Sequence, residues 1–176
     1  AKMAFDCQTT VLAQTDKASC DARTAATKKL TESLANFDAQ EAFATNPECV
    51  TAVLVNCGDK NSQDLCKASK ELLETASKKV NEHVVLNYVN SLIKAMDSSN
   101  RAGTIAGALD FISQLAETSP HGVSCNLVKL MPVVSGLVND ASNVVSEAAR
   151  TAVAKLCHTI DNRDIEPFID DMVAAT

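Results

Sequence analysis

The residues able to do chemistry are scattered along the chain. Seven cysteines stand at positions 7, 20, 49, 57, 66, 125 and 157, and three histidines at 83, 121 and 158. There is no C-x-x-C pair, and no cysteine–histidine cluster has the spacing of a zinc site. Cys157 and His158 are neighbours, but adjacent helix positions point about 100° apart and do not easily make a nucleophile–base pair. Cys49 and Cys57 share one face of a helix, with Cys66 in the next one. Three uses are open to these thiols: small buried hydrophobes in a reducing compartment, a Cys57–Cys66 disulfide across a helix turn, or a metal site. Burial is the expectation, so no catalytic residue, no cofactor and no metal ligand is assigned.

Charge offers a second kind of candidate. Asp161, Asp164, Glu166, Asp170 and Asp171 make the C-terminal end acidic, relieved only by Arg163. They suit a solvated face with acids near helix N-termini, where the helix dipole favours them. The functional alternative is docking to a basic partner, with Asp164, Glu166, Asp170 and Asp171 as the contact residues. Lys28-Lys29 and Lys78-Lys79 are too sparse for a phosphate-tracking stripe, and the net charge of −6 argues against a broad nucleic-acid surface.

The elements that would carry these residues are helices. The chain is 46% hydrophobic but only 3% aromatic, with five glycines and four prolines in 176 residues. A core of Ala, Val and Leu suits close helix packing better than a β-sandwich. No apolar run approaches the ~18–20 residues of a membrane span. Residues 1–14 form a short helix or arm, and Asp16 to Phe37 a long helix with Ala18, Ala22, Ala25, Ala26, Leu30 and Leu34 facing inward. Asn46-Pro47 opens the next helix, which stops at Gly58 as a left-handed cap. Further helices run from Asn61-Ser62 to Val80, Val84 to Met96 and Ala102 to Glu117, where Gly103 and Gly107 permit close packing. Thr118 to Ser124 is the longest loop. The clearest stretch is Leu127 to Ile169: helix, turn at Asn139–Asn143, helix, turn, and an acidic helix over Ile165 to Val173.

The turns at Asp59, Asp97 and Asp140 recur at intervals of about 38 and 43 residues, each joining two apolar helices. That period marks a HEAT/armadillo α-solenoid. The expected fold is all-α, about four helix pairs stacked as one curved layer in a single domain over residues 1–176. Pro132 and Asp140 fit the HEAT pattern. The basic residue that commonly opens the second helix is missing, since Gly103 and Ser146 stand near those places. The Asp–Arg ladder between units is therefore in doubt.

From about Glu48 to Ile169 the chain resembles the N-terminal HEAT region of fungal-type translation elongation factor three. The likeness is clearest in Leu130-Met131-Pro132-Val133-Val134-Ser135, Asp140, Glu147-Ala148-Ala149 and Thr159-Ile160-Asp161-Asn162-Arg163-Asp164-Ile165-Glu166-Pro167-Phe168-Ile169. That factor is an ATPase whose nucleotide-binding cassettes follow the HEAT region and drive tRNA release from the ribosome. No G-x-x-x-x-G-K-[ST] loop occurs in these residues. The resemblance implies a helical surface that binds macromolecules, without the motor. Separately, Met3-Ala4-Phe5-Asp6 looks like the mature start of nucleus-encoded plastid proteins of the red-algal lineage, although a cloning remnant would begin a chain equally well.

The expected function is a non-catalytic adaptor among protein subunits of a larger assembly. The specific form is a subunit peripheral to a thylakoid photosystem and its antenna, in the plastid stroma. The alternative is a cytoplasmic ribosome- or RNA-associated module.

Overall fold

The computed structural model describes residues 8–79 and 81–160, and every regular element among them is helical. Residues 8–12 are helical, and Leu12 is buried. Then come α1 (Cys20–Ser33), α2 (Phe37–Ala44), α3 (Pro47–Asn56), α4 (Gln63–Ser77) and α5 (Val85–Ala95), followed by α6 (Ala102–Thr118), α7 (Pro120–Ser124), α8 (Leu127–Gly136) and α9 (Asn143–Cys157). The proposed acidic helix over Ile165 to Val173 lies outside the described residues, as do Met3–Asp6 and Val80.

The chain is a solenoid of helix pairs. Asp59, Asp97 and Asp140 sit in the turns of pairs α3–α4, α5–α6 and α8–α9. In each turn the carboxylate oxygen accepts the backbone N–H two residues on, from Asn61 at 2.7 Å, Ser99 at 2.9 Å and Ser142 at 2.8 Å. The repeated Asx turn is why the sequence period is visible. First helices of the pairs pack on one another, α3 on α5 and α5 on α8. Second helices do likewise, α1 on α4, α4 on α6 and α6 on α9. The core between the two rows is Leu, Val and Ala, with one aromatic chain through it. Phe43 lies 6.2 Å from Tyr88, and Tyr88 meets Phe111 edge-on at 5.3 Å.

Several local expectations need correction. Asp16 to Phe37 is not one helix. A 3-10 turn at Lys17–Ser19 precedes α1, and Asn36 caps α2 by accepting the N–H of Asp38. Phe37 opens α2 and is 73% exposed. The inward face of α1 is Cys20, Arg23, Ala26, Thr27 and Leu30, while Ala18, Ala22 and Ala25 face water. Pro120 starts the short helix α7 where a loop was expected.

Gly58 does end α3, but not as a left-handed cap, because no described glycine has positive φ. It permits contact instead. A Cβ on Gly58 would lie 2.5 Å from the backbone nitrogen of Thr104, and one on Gly107 would lie 2.7 Å from Cys57 Cβ. Close packing at Gly107 is as the sequence suggested, and Gly58 belongs to the same contact.

The ladder has one clear rung. Arg23 Nη1 donates to Asp59 Oδ2 at 3.0 Å and to Asn56 Oδ1 at 2.8 Å. Its other nitrogens reach Ser19 Oγ and the Asp16 carbonyl, both at 3.0 Å. The side chains of Arg23 and Asp59 are only 1% and 5% exposed. Burial works against ionisation of Asp59, but the N–H of Asn61, the Arg23 guanidinium and the N–H of Ser62 outweigh it. They hold the carboxyl below its usual range. Seven residues beyond Asp16, Asp59 and Asp97 stand Arg23, Cys66 and Thr104. Cys66 Sγ donates to the Asp59 carbonyl at 3.1 Å, and Thr104 Oγ1 to the Val55 carbonyl at 3.2 Å. Later units therefore replace the arginine rung with smaller contacts.

Candidate functional site

The thiols divide by burial. Cys20, Cys49 and Cys57 are buried, Cys66 and Cys157 partly so, and Cys125 is exposed. All six are free thiols, so the Cys57–Cys66 disulfide is not formed. Burial pushes the Cys49 thiol up to about 11 and the Cys57 thiol up to about 12, and it raises Cys66 as well. These groups stay protonated and unreactive at neutral pH.

His83, His121 and His158 are all exposed. The Cys–His approach that the fold provides is not Cys157–His158. It is Cys125 Sγ to His121 Nε2 at 4.0 Å, one helical turn apart. The four-residue spacing was the available signal. Among the described residues no group of three or more His, Cys, Asp or Glu is placed to hold a metal ion. No described helix is long and apolar enough to cross a membrane.

What remains is surface. Between α4 and α6 runs a groove of about 330 Å³, floored by Leu73, Gly107 and Phe111 and edged by Lys67, Lys70, Glu71 and Asp110. Lys70 Nζ stands 3.8 Å from Asp110 Oδ2. Burial raises the Asp110 carboxyl, and the Lys70 charge partly offsets that. The groove sets charges of both signs along an apolar floor. Sequence reasoning missed it because Asp110 and Lys70 are brought together only by the stacking of α4 on α6. The basic pairs are solvated as expected, and Lys78 is engaged by Glu74 at 2.6 Å. The candidate docking residues Asp164, Glu166, Asp170 and Asp171 lie outside the described residues.

The stacked pairs, their shared Asx turns and the Arg23–Asp59 rung are the features of a HEAT array. The family model described as "EF3 N-terminal HEAT repeat" matches residues 3–153. The chain belongs to that family. The match starts well before Glu48 and stops short of the Asp161–Ile169 string.

Among full-length relatives, elongation factor 3 of Candida albicans is 32% identical over 127 residues, 72% of this chain and 12% of that protein. Elongation factor 3 of Candida glabrata is 30% identical over 125 residues, 71% and 12% respectively. Elongation factor 3B of Saccharomyces cerevisiae is 32% identical over 124 residues, 70% and 12%. The chain thus spans 12% of the length of these relatives. As an EF3-type HEAT array it is a helical repeat module.

Proposed function

We propose that this HEAT module is a non-catalytic adaptor that docks protein subunits of a larger assembly. The observation that carries this is a repeat array of the EF3 N-terminal family whose described residues offer a groove and helix faces, with the exposed Cys125–His121 contact standing apart from that groove. The relatives are named as elongation factors, but these residues contain no G-x-x-x-x-G-K-[ST] loop, so what is shared is the array.

The specific assembly we favour is a plastid photosystem with its antenna, approached from the stroma. Its support is the Met3-Ala4-Phe5-Asp6 stretch, which resembles one found in plastid proteins of the red-algal lineage. The acidic set Asp164, Glu166, Asp170 and Asp171 is the part we assign to a basic partner face. A second reading is supported by the relatives' name: a ribosome-associated module in the cytoplasm.

Gradient sedimentation of gently lysed source cells separates the two. Co-migration with chlorophyll-containing particles is the expected result. Co-sedimentation with ribosomes at low salt, lost steeply as salt rises, would establish the second reading instead. Migration as a free monomer in every fraction would remove the adaptor function itself.

A further inference from the structure

The groove between α4 and α6 contains an acceptor with nothing to accept. Gln114 lines it, and its side-chain oxygen Oε1 is buried with no hydrogen-bond partner. A buried oxygen in that state carries a desolvation cost that an arriving donor relieves. Among the described residues the other such side-chain atom is Ser69 Oγ, which is fully buried and does not line the groove.

The charges along the groove have a direction. Cys66 near the start of α4 donates to the Asp59 carbonyl, and Thr104 near the start of α6 to the Val55 carbonyl. Both helices therefore start beside the end of α3 and run parallel. Lys70 stands level with Asp110, at 3.8 Å. One turn further on, Glu74 comes level with Gln114, and one turn back Lys67 comes level with Gly107. Acceptors gather at the Gln114 end, and the Gly107 end is cationic.

Of those acceptors, Glu74 is engaged by Lys78 at 2.6 Å. Lys70 holds Asp110 only loosely. Their separation is beyond a hydrogen bond, and the two side chains are 53% and 48% exposed. Asp110 and Gln114 are the acceptors left with capacity. They lie one helical turn apart on α6, about 5–6 Å between Cβ atoms. An ammonium is a point charge and serves one of them. A guanidinium is a planar fork, wide enough to give one N–H to the amide oxygen and another to the carboxylate. Its methylene stem fits the apolar floor of Leu73 and Phe111. The groove volume of about 330 Å³ is at the low end of ligand-sized clefts, which suits one long side chain better than a folded surface.

We infer that this groove receives an arginine side chain of a partner protein, its guanidinium donating to Gln114 Oε1 and to the Asp110 carboxylate while Lys70 swings outward. The inference rests on the adaptor reading and adds to it the chemistry of one contact. The partner's segment is oriented as well, with its arginine at the Gln114 end and its carbonyl or acidic groups beside Lys67.

Nitrogen-15 NMR titration of the full chain with the blocked peptide acetyl-Ala-Ala-Arg-Ala-Ala-amide tests this. The side-chain amide signals of Gln114 should shift saturably, with backbone shifts confined to α4 and α6 around the groove. The same peptide with citrulline or with lysine in place of arginine should bind about fivefold more weakly or worse. Gln114→Leu and Asp110→Asn should each weaken arginine binding by about fivefold or more. Lys70→Ala should tighten it, because the competing cation is gone. A groove with a purely structural role gives no such gain. Equal binding of the arginine and citrulline peptides, or arginine binding unchanged in Gln114→Leu, overturns the inference. So does tighter binding of the peptide with glutamate in place of arginine, which would make the groove an anion site on Lys67 and Lys70. If the arginine peptide fails while the chain still co-sediments with an assembly, the groove contact is wrong and the adaptor reading stands. If it binds a chain that sediments alone, the site stands and the adaptor reading falls.

Discussion

Arg23 is the side chain on which most depends. It is the largest fully buried side chain among the described residues, and its hydrogen bonds tie the start of α1 to the end of α3 and the following turn. Truncation leaves Asp59 and Asn56 in a dry site without their donor. Arg23→Ala should therefore cost about 3–5 kcal/mol in chemical denaturation, far more than loss of an exposed pair. The sign of the pH effect follows from the depressed Asp59 carboxyl. Its contribution is present above the unfolded carboxylate pKa and is lost as pH falls through the lower folded value. The stability gap between wild type and Asp59→Asn should thus be widest near neutral pH and close below about pH 4. The thiols give a separate residue-scale result. A thiol-exchange reagent at pH 8 should find Cys125 as the fast-reacting group among the described cysteines, and Cys125→Ser should remove that phase while the buried thiols react only after unfolding.

At the scale of elements, the glycines separate local from non-local causes. Gly58 and Gly107 hold the end of α3 against α6, with no room for a methyl group. Gly58→Ala and Gly107→Ala should each lower stability by about 1–3 kcal/mol, and Gly58→Ala the more, because it meets the Thr104 backbone nitrogen as well as the Thr104 side chain. Gly136 closes α8 in open space, where an added Cβ would meet nothing within 4 Å. Gly136→Ala should raise stability by about 0.5–1 kcal/mol, and calorimetry of the three variants distinguishes the signs. Helix starts were legible because their causes are short-range. Asn46 accepts the N–H of Cys49 ahead of Pro47, and Ser62 accepts that of Leu65. The false continuity from Asp16 to Phe37 has a matching cause. Alanines at Ala18, Ala22 and Ala25 read as an inward face, whereas Arg23 and Thr27 occupy it. Arginine is read as an outward residue until a carboxylate 36 positions away is seen to receive it.

For the whole molecule, a repeat array is stabilised chiefly by contacts between neighbours, so its interior units should be the last to open. Helix α6 touches α3, α4, α5 and α9, and its inward face is buried from Thr104 to Ala116. Under native conditions its amides should exchange most slowly, with α2 and α7 fastest. Uniform protection along the chain would contradict an array and indicate one all-or-none unit.

The sequence by itself determined the helical class, the repeat period and the positions of the turns. Those depend on apolar spacing and on carboxylates bonding backbone two residues away. It also carried enough of the family pattern to mark the HEAT array. Only the tertiary structure decided that Arg23 is buried, that Gly58 is a contact and not a cap, and that α4 and α6 form a groove with charged edges. Each of these is a relation between helices of different pairs, set by which faces the stacking brings together, and periodicity within one helix carries no information about its neighbour.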